Sequence, residues 1–277
     1  MENKKIRISI AMAIYNCDKT LRESIDSILD QTYKNWELIL CDDASTDSTY
    51  SIAQEYTKKY NNIKLIKNEI NLGLPASLNK CIEIACEESE FIARQDGDDI
   101  SLSQRFEKQI SFLDSYPEYA LVSTSMICFD ENGEWGIMKK KKNPKVTDFA
   151  FDSPFCHAPV MMRKKELNNI GNYTVRDNLR RGQDYFLWHK FYKAGYKGYN
   201  LDEPLYKMRD DRLATLRRGN FKDRLKGSKI FLEVFNNLNI PLYYYPLILK
   251  SLIAGILPIK IYEKIHRKRI NISSKRL

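Results

Sequence analysis

Across the first hundred residues the hydrophobic positions fall into short continuous runs separated by stripes at helical spacing. Ile6 to Ile14 is an almost unbroken apolar run, the pattern of a parallel strand covered on both faces. It ends at Tyr15-Asn16. Thr20 and Glu23 have the spacing of a capping box, and Leu21, Ile25, Ile28 and Leu29 then recur at helical intervals, which predicts a first helix to about Gln31. Trp36 to Cys41 reads as a second strand, stopping at Asp42-Asp43. Ser45 or Asp47 would cap the next helix, with Ile52, Ala53 and Tyr56 facing inward. Ile63 to Ile66 reads as a third strand. Asn71-Leu72-Gly73-Leu74-Pro75 is a turn that opens a helix striped by Leu74, Leu78, Ile82 and Ala85. Phe91 to Gln95 is a fourth strand, and it runs directly into Asp96-Gly97-Asp98-Asp99.

This alternation predicts an α/β fold built on a mainly parallel, doubly wound sheet. Ligands bind beyond the carboxyl ends of the strands in such sheets, so Tyr15-Asn16, Asp42-Asp43 and the acids after Gln95 are expected close together. The pattern then loosens. Phe106, Ile110 and Leu113 mark a helix, and Ala120 to Cys128 a strand. Asp184 stands in the first turn of a helix carrying Tyr185, Trp188, His189 and Tyr192. Phe221 to Phe235 is helical in pattern, and Asn236 to Asn239 breaks it. The apolar stretch that follows, through Ile259, is interrupted by Pro241, Pro246, Lys250 and Pro258, which leaves no run long enough for a comfortable membrane span.

The 277 residues are 43% hydrophobic and 29% charged, enough for one large or two smaller globular units. The net charge of +9 is unevenly placed: seven Lys/Arg against one Glu between Lys260 and Leu277 account for +6 of it. The remainder is near neutral, which argues against a general nucleic-acid binder and points to a basic tail. Cys17, Cys41, Cys81, Cys86, Cys128 and Cys156 include no C-x-x-C pair and read as reduced, mostly buried thiols. The apolar run after Lys4 and Lys5 is short and lacks a small-residue cleavage site, so a cytosolic protein is expected.

Three acids within four residues repel one another unless a cation sits among them, and hard oxygen ligands suit Mg²⁺ or Mn²⁺. Gly97 lets backbone and ligand approach closely. The same residues also suit a solvated acidic turn capping a helix that begins near Ser101. Lys139 to Lys142 fit a solvated loop or strand edge, or a phosphate or lipid-headgroup contact. Asp184 fits a helix cap as well as a chemical role. Tyr243, Tyr244 and Tyr245, followed by Lys260, Lys264, Arg267, Lys268 and Arg269, fit either an interfacial segment on an anionic leaflet or a buried packing helix with a disordered basic end.

Taken in order, Ser9 to Asn16, Ile28 to Thr32, Leu38 to Asp47, Asn71-Leu72-Gly73, Ala93 to Asp99, His157-Ala158-Pro159 and Gln183-Asp184 resemble the family 2 glycosyltransferases, over roughly residues 6 to 210. The resemblance implies a GT-A fold of the bacterial surface-polysaccharide type. Residues 1–100 would form the nucleotide-sugar-binding half, 101–215 the acceptor-binding and catalytic half, and 216–277 a helical, basic extension. It implies an inverting, metal-dependent hexosyltransferase that uses a nucleotide-sugar, most simply a UDP-sugar, with Mn²⁺ or Mg²⁺. The acceptor would be a glycan or a polyprenyl-diphosphate-linked glycan, met peripherally at the inner face of the cell membrane.

Residue by residue, the resemblance matches Ala13 and Tyr15 to the base and ribose site, Asp43 to the acid that reads the uracil edge, and Asp96 and Asp98 to the D-x-D motif, with Asp98 the direct metal ligand. Arg94 matches a position near the donor diphosphate or sugar, though an ion pair with the acids also accounts for it. Asp184 matches the general base, preceded here by Gln183 where the family has Glu. His157 and Gln183 fall on the acceptor side. Arg209 stands near a position where relatives often have a metal-binding histidine; it suits pairing with the leaving diphosphate, or a plain surface role. The Gln-x-x-Arg-Trp motif of processive synthases is absent from the sequence, which favours a single-addition enzyme. A non-catalytic nucleotide-sugar-binding partner is the alternative from another class. A nucleotidyltransferase would carry a glycine- and lysine-rich triphosphate loop near the N-terminus, and the sequence has none.

Overall fold

A computed structural model describes residues 7–179, 182–210 and 221–249, together with 261, 265, 267, 268 and 270. Ile6, Arg180, Arg181 and the apolar stretch from Leu252 to Ile259 lie outside the described residues.

The first half follows the strand–helix alternation of the sequence. It runs β1 (Ile8–Ile14), α1 (Leu21–Leu29), β2 (Trp36–Asp42), α2 (Thr49–Lys59), β3 (Ile63–Lys67), α3 (Leu74–Glu83) and β4 (Phe91–Arg94). These four strands are parallel in the order β3-β2-β1-β4. Because side chains alternate along a strand, β1 feeds two cores. Ile10, Met12 and Ile14 pack with Leu21, Ile25, Ile52 and Phe106, whereas Ala11 packs on the opposite face with Leu78 and Ile82. Burial on both faces accounts for the unbroken apolar run.

The second half contains β5 (Ile100–Ser101), α4 (Arg105–Ser115), β6 (Tyr119–Asp130), β7 (Gly133–Met138), β8 (Met161–Arg163), α5 (Lys164–Asn169), α6 (Gln183–Lys193) and β9 (Lys197–Arg209), followed by α7 (Phe221–Asn237). Here the sheet becomes mixed. β8 runs antiparallel between β4 and β6, β9 pairs parallel with β6 along most of its length, and β5 and β7 form short antiparallel edges. Trp188 and Phe191 of α6 and Val234 and Phe235 of α7 complete the core over this half.

Several local expectations change. Thr20 and Glu23 do not form a capping box: the Thr20 hydroxyl donates to the Gly97 carbonyl at 3.0 Å, and the Glu23 carboxylate accepts from Arg209 at 2.8 Å. Both side chains are drawn to the acidic loop instead of their own helix end. The helix expected near Ser101 begins at Arg105, because Ile100 and Ser101 pair with Lys207 and Tyr206 of β9 as a strand. After Asp130 the chain turns back as β7 to form a β-hairpin with β6, so of the loop and strand-edge readings the strand edge describes Gly133–Met138.

Candidate functional site

The carboxyl ends of β2, β1 and β4 lie side by side, as the parallel order requires. At the end of β1, Tyr15 is half exposed, and Asn16 adopts a left-handed φ of 47°. The Asn16 side chain accepts from the Thr46 amide at 2.9 Å, which ties the β1 and β2 loops together. Ala13 is partly buried one turn of the pleat earlier. Asp43 is buried and already engaged: its carboxylate accepts from the Leu72 and Gly73 amides at 2.8 Å each and from the Asn68 amide at 2.7 Å. It thereby fixes the Asn71-Leu72-Gly73 turn against β2.

After β4 the backbone is held from several sides. Gln95 donates to the Ser24 hydroxyl and to the Asp99 carbonyl at 3.0 Å each, and Ser24 donates to the Asp96 carbonyl at 2.7 Å. A Cβ on Gly97 would lie 2.9 Å from Cys17 Sγ and 3.2 Å from Ile14 Cγ2, so the loop can reach the end of β1 only with glycine there. Carboxylate oxygens of Asp96, Asp98 and Asp99 lie within 4.8 Å of one another. Three oxygen donors at this spacing fit a hard divalent cation.

Cations surround the acids. Arg94, buried at the end of β4, forms a two-point ion pair with Asp96. Beneath the loop, the wholly buried Arg105 donates to the Arg94 carbonyl and the Ser101 hydroxyl at 2.7 Å each, and burial lowers its pKa to about 10, so it stays charged at neutral pH. Asp99 is buried. Burial first, then the charges of Asp96 and Asp98, push its carboxyl well above the usual range, while the Arg209 amide at 2.8 Å and the Tyr206 hydroxyl oppose the shift. Arg209 reaches the cluster as well: its guanidinium donates to the Asp98 carbonyl at 3.1 Å and to Glu23 at 2.8 Å, and lies 4.6 Å from the Phe129 ring centroid.

A cleft of about 670 Å³ is lined in part by Asp184, His157, Ser153, Lys140 and Asp152. Gly182, with φ 88°, sits just before α6 and aims its first turn at this cleft. The Asp184 carboxylate accepts from Ser153 at 3.4 Å. Burial raises its pKa; the Tyr185 amide, its own amide, and the charges of Arg94 and Lys140 oppose the rise. His157 meets the Tyr173 hydroxyl at 2.7 Å. Burial, then Arg94, lowers its pKa well below the ordinary value, so it is neutral at physiological pH. Burial raises the pKa of the Tyr173 hydroxyl, the charge of Arg94 lowers it, and those of Asp184 and Asp96 add to the rise. Gln183 has its side-chain carbonyl buried without a hydrogen-bond partner among the described residues.

Sequence reasoning missed Arg105, Tyr173, Tyr206 and Asp152 as parts of this site, and named Asp99 and Lys140 only within the acid cluster and the lysine run. Asp99 was visible as the third acid. Tyr206 and Arg105 carry no local signal, because their partners lie on other elements. Of the lysine run, Lys140 pairs with Asp152 at 2.9 Å and Lys141 with Asp148 at 2.9 Å, while Lys139 and Lys142 flank Asp202 at 3.3 and 3.5 Å; Lys139, Lys140 and Lys141 line the cleft.

Comparison with known proteins agrees with this geometry. Residues 9–171 match the model of the family described as Glycosyl transferase family 2. EpsE of Bacillus subtilis, named as a glycosyltransferase, is 43% identical over 97% of this chain and 96% of its own length. A UDP-Gal:alpha-D-GlcNAc-diphosphoundecaprenol beta-1,3-galactosyltransferase of Escherichia coli is 31% identical over 80% of this chain and 81% of its own. Among solved structures, S. aureus TarS 1-349 in complex with UDP-GlcNAc superimposes with TM-score 0.62 at 20% identity, covering 92% of this chain and 83% of that one. The mannosyltransferase PcManGT from Pyrobaculum calidifontis, in complex with GDP-Man and Mn²⁺, also gives 0.62, at 17% identity over 95% and 80% of the two chains. These likenesses establish the GT-A fold.

Proposed function

The chain belongs to glycosyl transferase family 2, and from that premise we propose that this glycosyltransferase moves a sugar, with inversion, from a UDP-sugar to a glycan acceptor carried on a lipid diphosphate in bacterial surface-polysaccharide synthesis. The observation that carries the reading is the pairing of two features: the acids Asp96, Asp98 and Asp99 with Arg94, and the cleft holding Asp184, whose carboxyl feels the charge of that same Arg94. The UDP donor and lipid-diphosphate acceptor follow the relatives, one of which is named for exactly such a pair of substrates.

Residues 1–100 supply the donor side. Tyr15 offers an exposed ring for the base, the Ala13 end of β1 borders the ribose, and Asp43 holds the Asn71–Gly73 turn against the base site. Asp98 and Asp96 would hold Mn²⁺ or Mg²⁺, which when bound neutralises the departing diphosphate. Arg94 and Arg209 add fixed positive charge beside it. Residues 101–215 supply the acceptor side, with His157 and Gln183 beside the base. Asp184 takes the proton of the acceptor hydroxyl as that oxygen bonds to the anomeric carbon; the bond from that carbon to the diphosphate oxygen breaks, and the nucleoside diphosphate leaves. The raised pKa of Asp184 suits a base that must accept this proton.

Residues 216–277 are the extension, and we assign it a peripheral contact with the anionic inner leaflet of the cell membrane. Leu242 and Tyr243 are 78% and 73% exposed, and Leu249, Ile261 and Ile265 are also exposed, beside the basic residues of this segment. Among the described residues no helix is long and apolar enough to cross a membrane. The test is a panel of UDP- and GDP-sugars with Mn²⁺, assayed for sugar transfer to an α-GlcNAc-diphosphate on a short lipid. Transfer from one UDP-sugar is expected; no transfer from any donor would overturn the reading.

A further inference from the structure

We infer that the C-terminal segment around Arg267 and Ile270 forms one wall of the Asp184 cleft, and that the Asp130–Arg267 ion pair is the clip that positions it. The inference rests on reading that cleft as the acceptor site. Ile270 is buried and lines the cleft together with Met126 of β6 and Met138 of β7, which stand more than 130 residues earlier in sequence. The β6–β7 hairpin that brings these methionines to the cleft also holds the segment. At its turn Asp130, almost wholly buried, accepts from the Asn132 amide at 2.9 Å and from Arg267 at 2.7 Å. The Arg267 guanidinium lies 4.8 Å from the ring centroid of Trp135 on the same hairpin. A buried carboxylate, an aromatic face and an apolar side chain in the cleft are three different contacts, and all draw the segment to one place.

The spacing of the segment gives this docking a consequence. Ile261, Ile265, Arg267, Lys268 and Ile270 are helical. At 100° per residue, Ile261, Ile265 and Lys268 share one side and Arg267 and Ile270 the opposite one. Ile261, Ile265 and Lys268 are exposed and Ile270 is covered, while Arg267, beside Ile270, stays half exposed as its guanidinium reaches Asp130. The basic tail is therefore not simply a patch of charge for a membrane surface. One side of the helix completes the cleft, while the other presents isoleucines and a lysine outward.

The test has two arms. In hydrogen–deuterium exchange, peptides covering residues 261–270 should be protected in the wild type and exchange faster in Arg267→Ala and Asp130→Asn. In transfer to α-GlcNAc-diphosphate on a short lipid, the same variants should raise the acceptor KM about three- to fivefold, the scale of losing a partly exposed ion pair, with UDP affinity unchanged. The charge-reversed double variant, Asp130→Arg with Arg267→Asp, should recover part of the loss, and Ile270→Trp should obstruct acceptor turnover without touching UDP binding. Exchange at free-tail rates in the wild type would overturn the docking. An acceptor KM indifferent to release of the segment, or a joint fall in UDP affinity, would overturn its role as a cleft wall. Absence of transfer in the wild type would instead count against the acceptor reading, and the exchange arm would still decide the docking.

Discussion

Asp98→Asn separates the charge of the acid cluster from its shape. Carboxylate oxygens of Asp96, Asp98 and Asp99 lie within 4.8 Å of one another, and a pair of like charges at that distance costs about 3.5 kcal/mol at an effective dielectric near 20. Most of this is already offset: Arg94 pairs with Asp96, Arg105 lies beneath the loop, and solvent screens the open side. Relief of roughly 1 kcal/mol remains for the metal-free protein, equivalent to about 2 °C in Tm for a chain of this size. In chelator, Asp98→Asn should therefore melt slightly above the wild type. Added Mn²⁺ should reverse the order. At 100 times its Kd it stabilises the wild type by about 2.7 kcal/mol, whereas the variant should gain little. Thermal melts with and without Mn²⁺, paired with UDP calorimetry, read both effects. A variant that melts lower in chelator and still binds UDP in an Mn²⁺-dependent way would refute the reasoning.

Gly97→Ala should destabilise the protein by about 1–3 kcal/mol in chemical denaturation, since the new Cβ meets Cys17 Sγ at 2.9 Å, and adding Cys17→Ala should restore part of the loss. Wild-type stability in the single variant would contradict the close approach. The acid limb of the transfer rate should have its midpoint above the ordinary aspartate value, because burial raises the Asp184 pKa and activity disappears as pH falls through it. A midpoint at or below that value would remove Asp184 as the group responsible. Replacing the exposed Leu242, Tyr243 and Leu249 with serine should reduce co-sedimentation with anionic liposomes and leave UDP affinity intact; unchanged sedimentation would place the membrane contact elsewhere.

The parts of the fold legible in the sequence are those with local causes. β1, β2 and β4 announce themselves because both faces are covered, and α1 and α3 because their stripes meet that sheet. The acids after Gln95 are visible because they are neighbours in sequence. β8 escapes because three residues between β4 and β6 carry no periodicity, and β5 because two residues cannot. The surroundings of Asp99 escape for a different reason: the Arg209 amide that it accepts lies 110 residues away, and Thr20 and Glu23 leave their helix end to serve the same loop. Lys139 to Lys142 read as a solvated run or a phosphate contact, yet each stands beside an aspartate and three of them line the cleft. No pattern of one segment announces a partner on another.

The measurement that bears most directly on the account is turnover and UDP affinity of Asp184→Asn. Gly182, not Asp184, takes the cap position of α6, so Asp184 stands as an acid in the first helical turn. Asparagine keeps its shape and gives up only about 0.3–1 kcal/mol of interaction with the helix dipole, so a purely structural Asp184 would leave turnover close to wild type. If Asp184 is the base that takes the acceptor proton, its loss should lower transfer by roughly 10²- to 10⁴-fold while UDP, proposed to bind on the β1 and β4 side, keeps its affinity. A folded variant with near wild-type turnover would contradict the account.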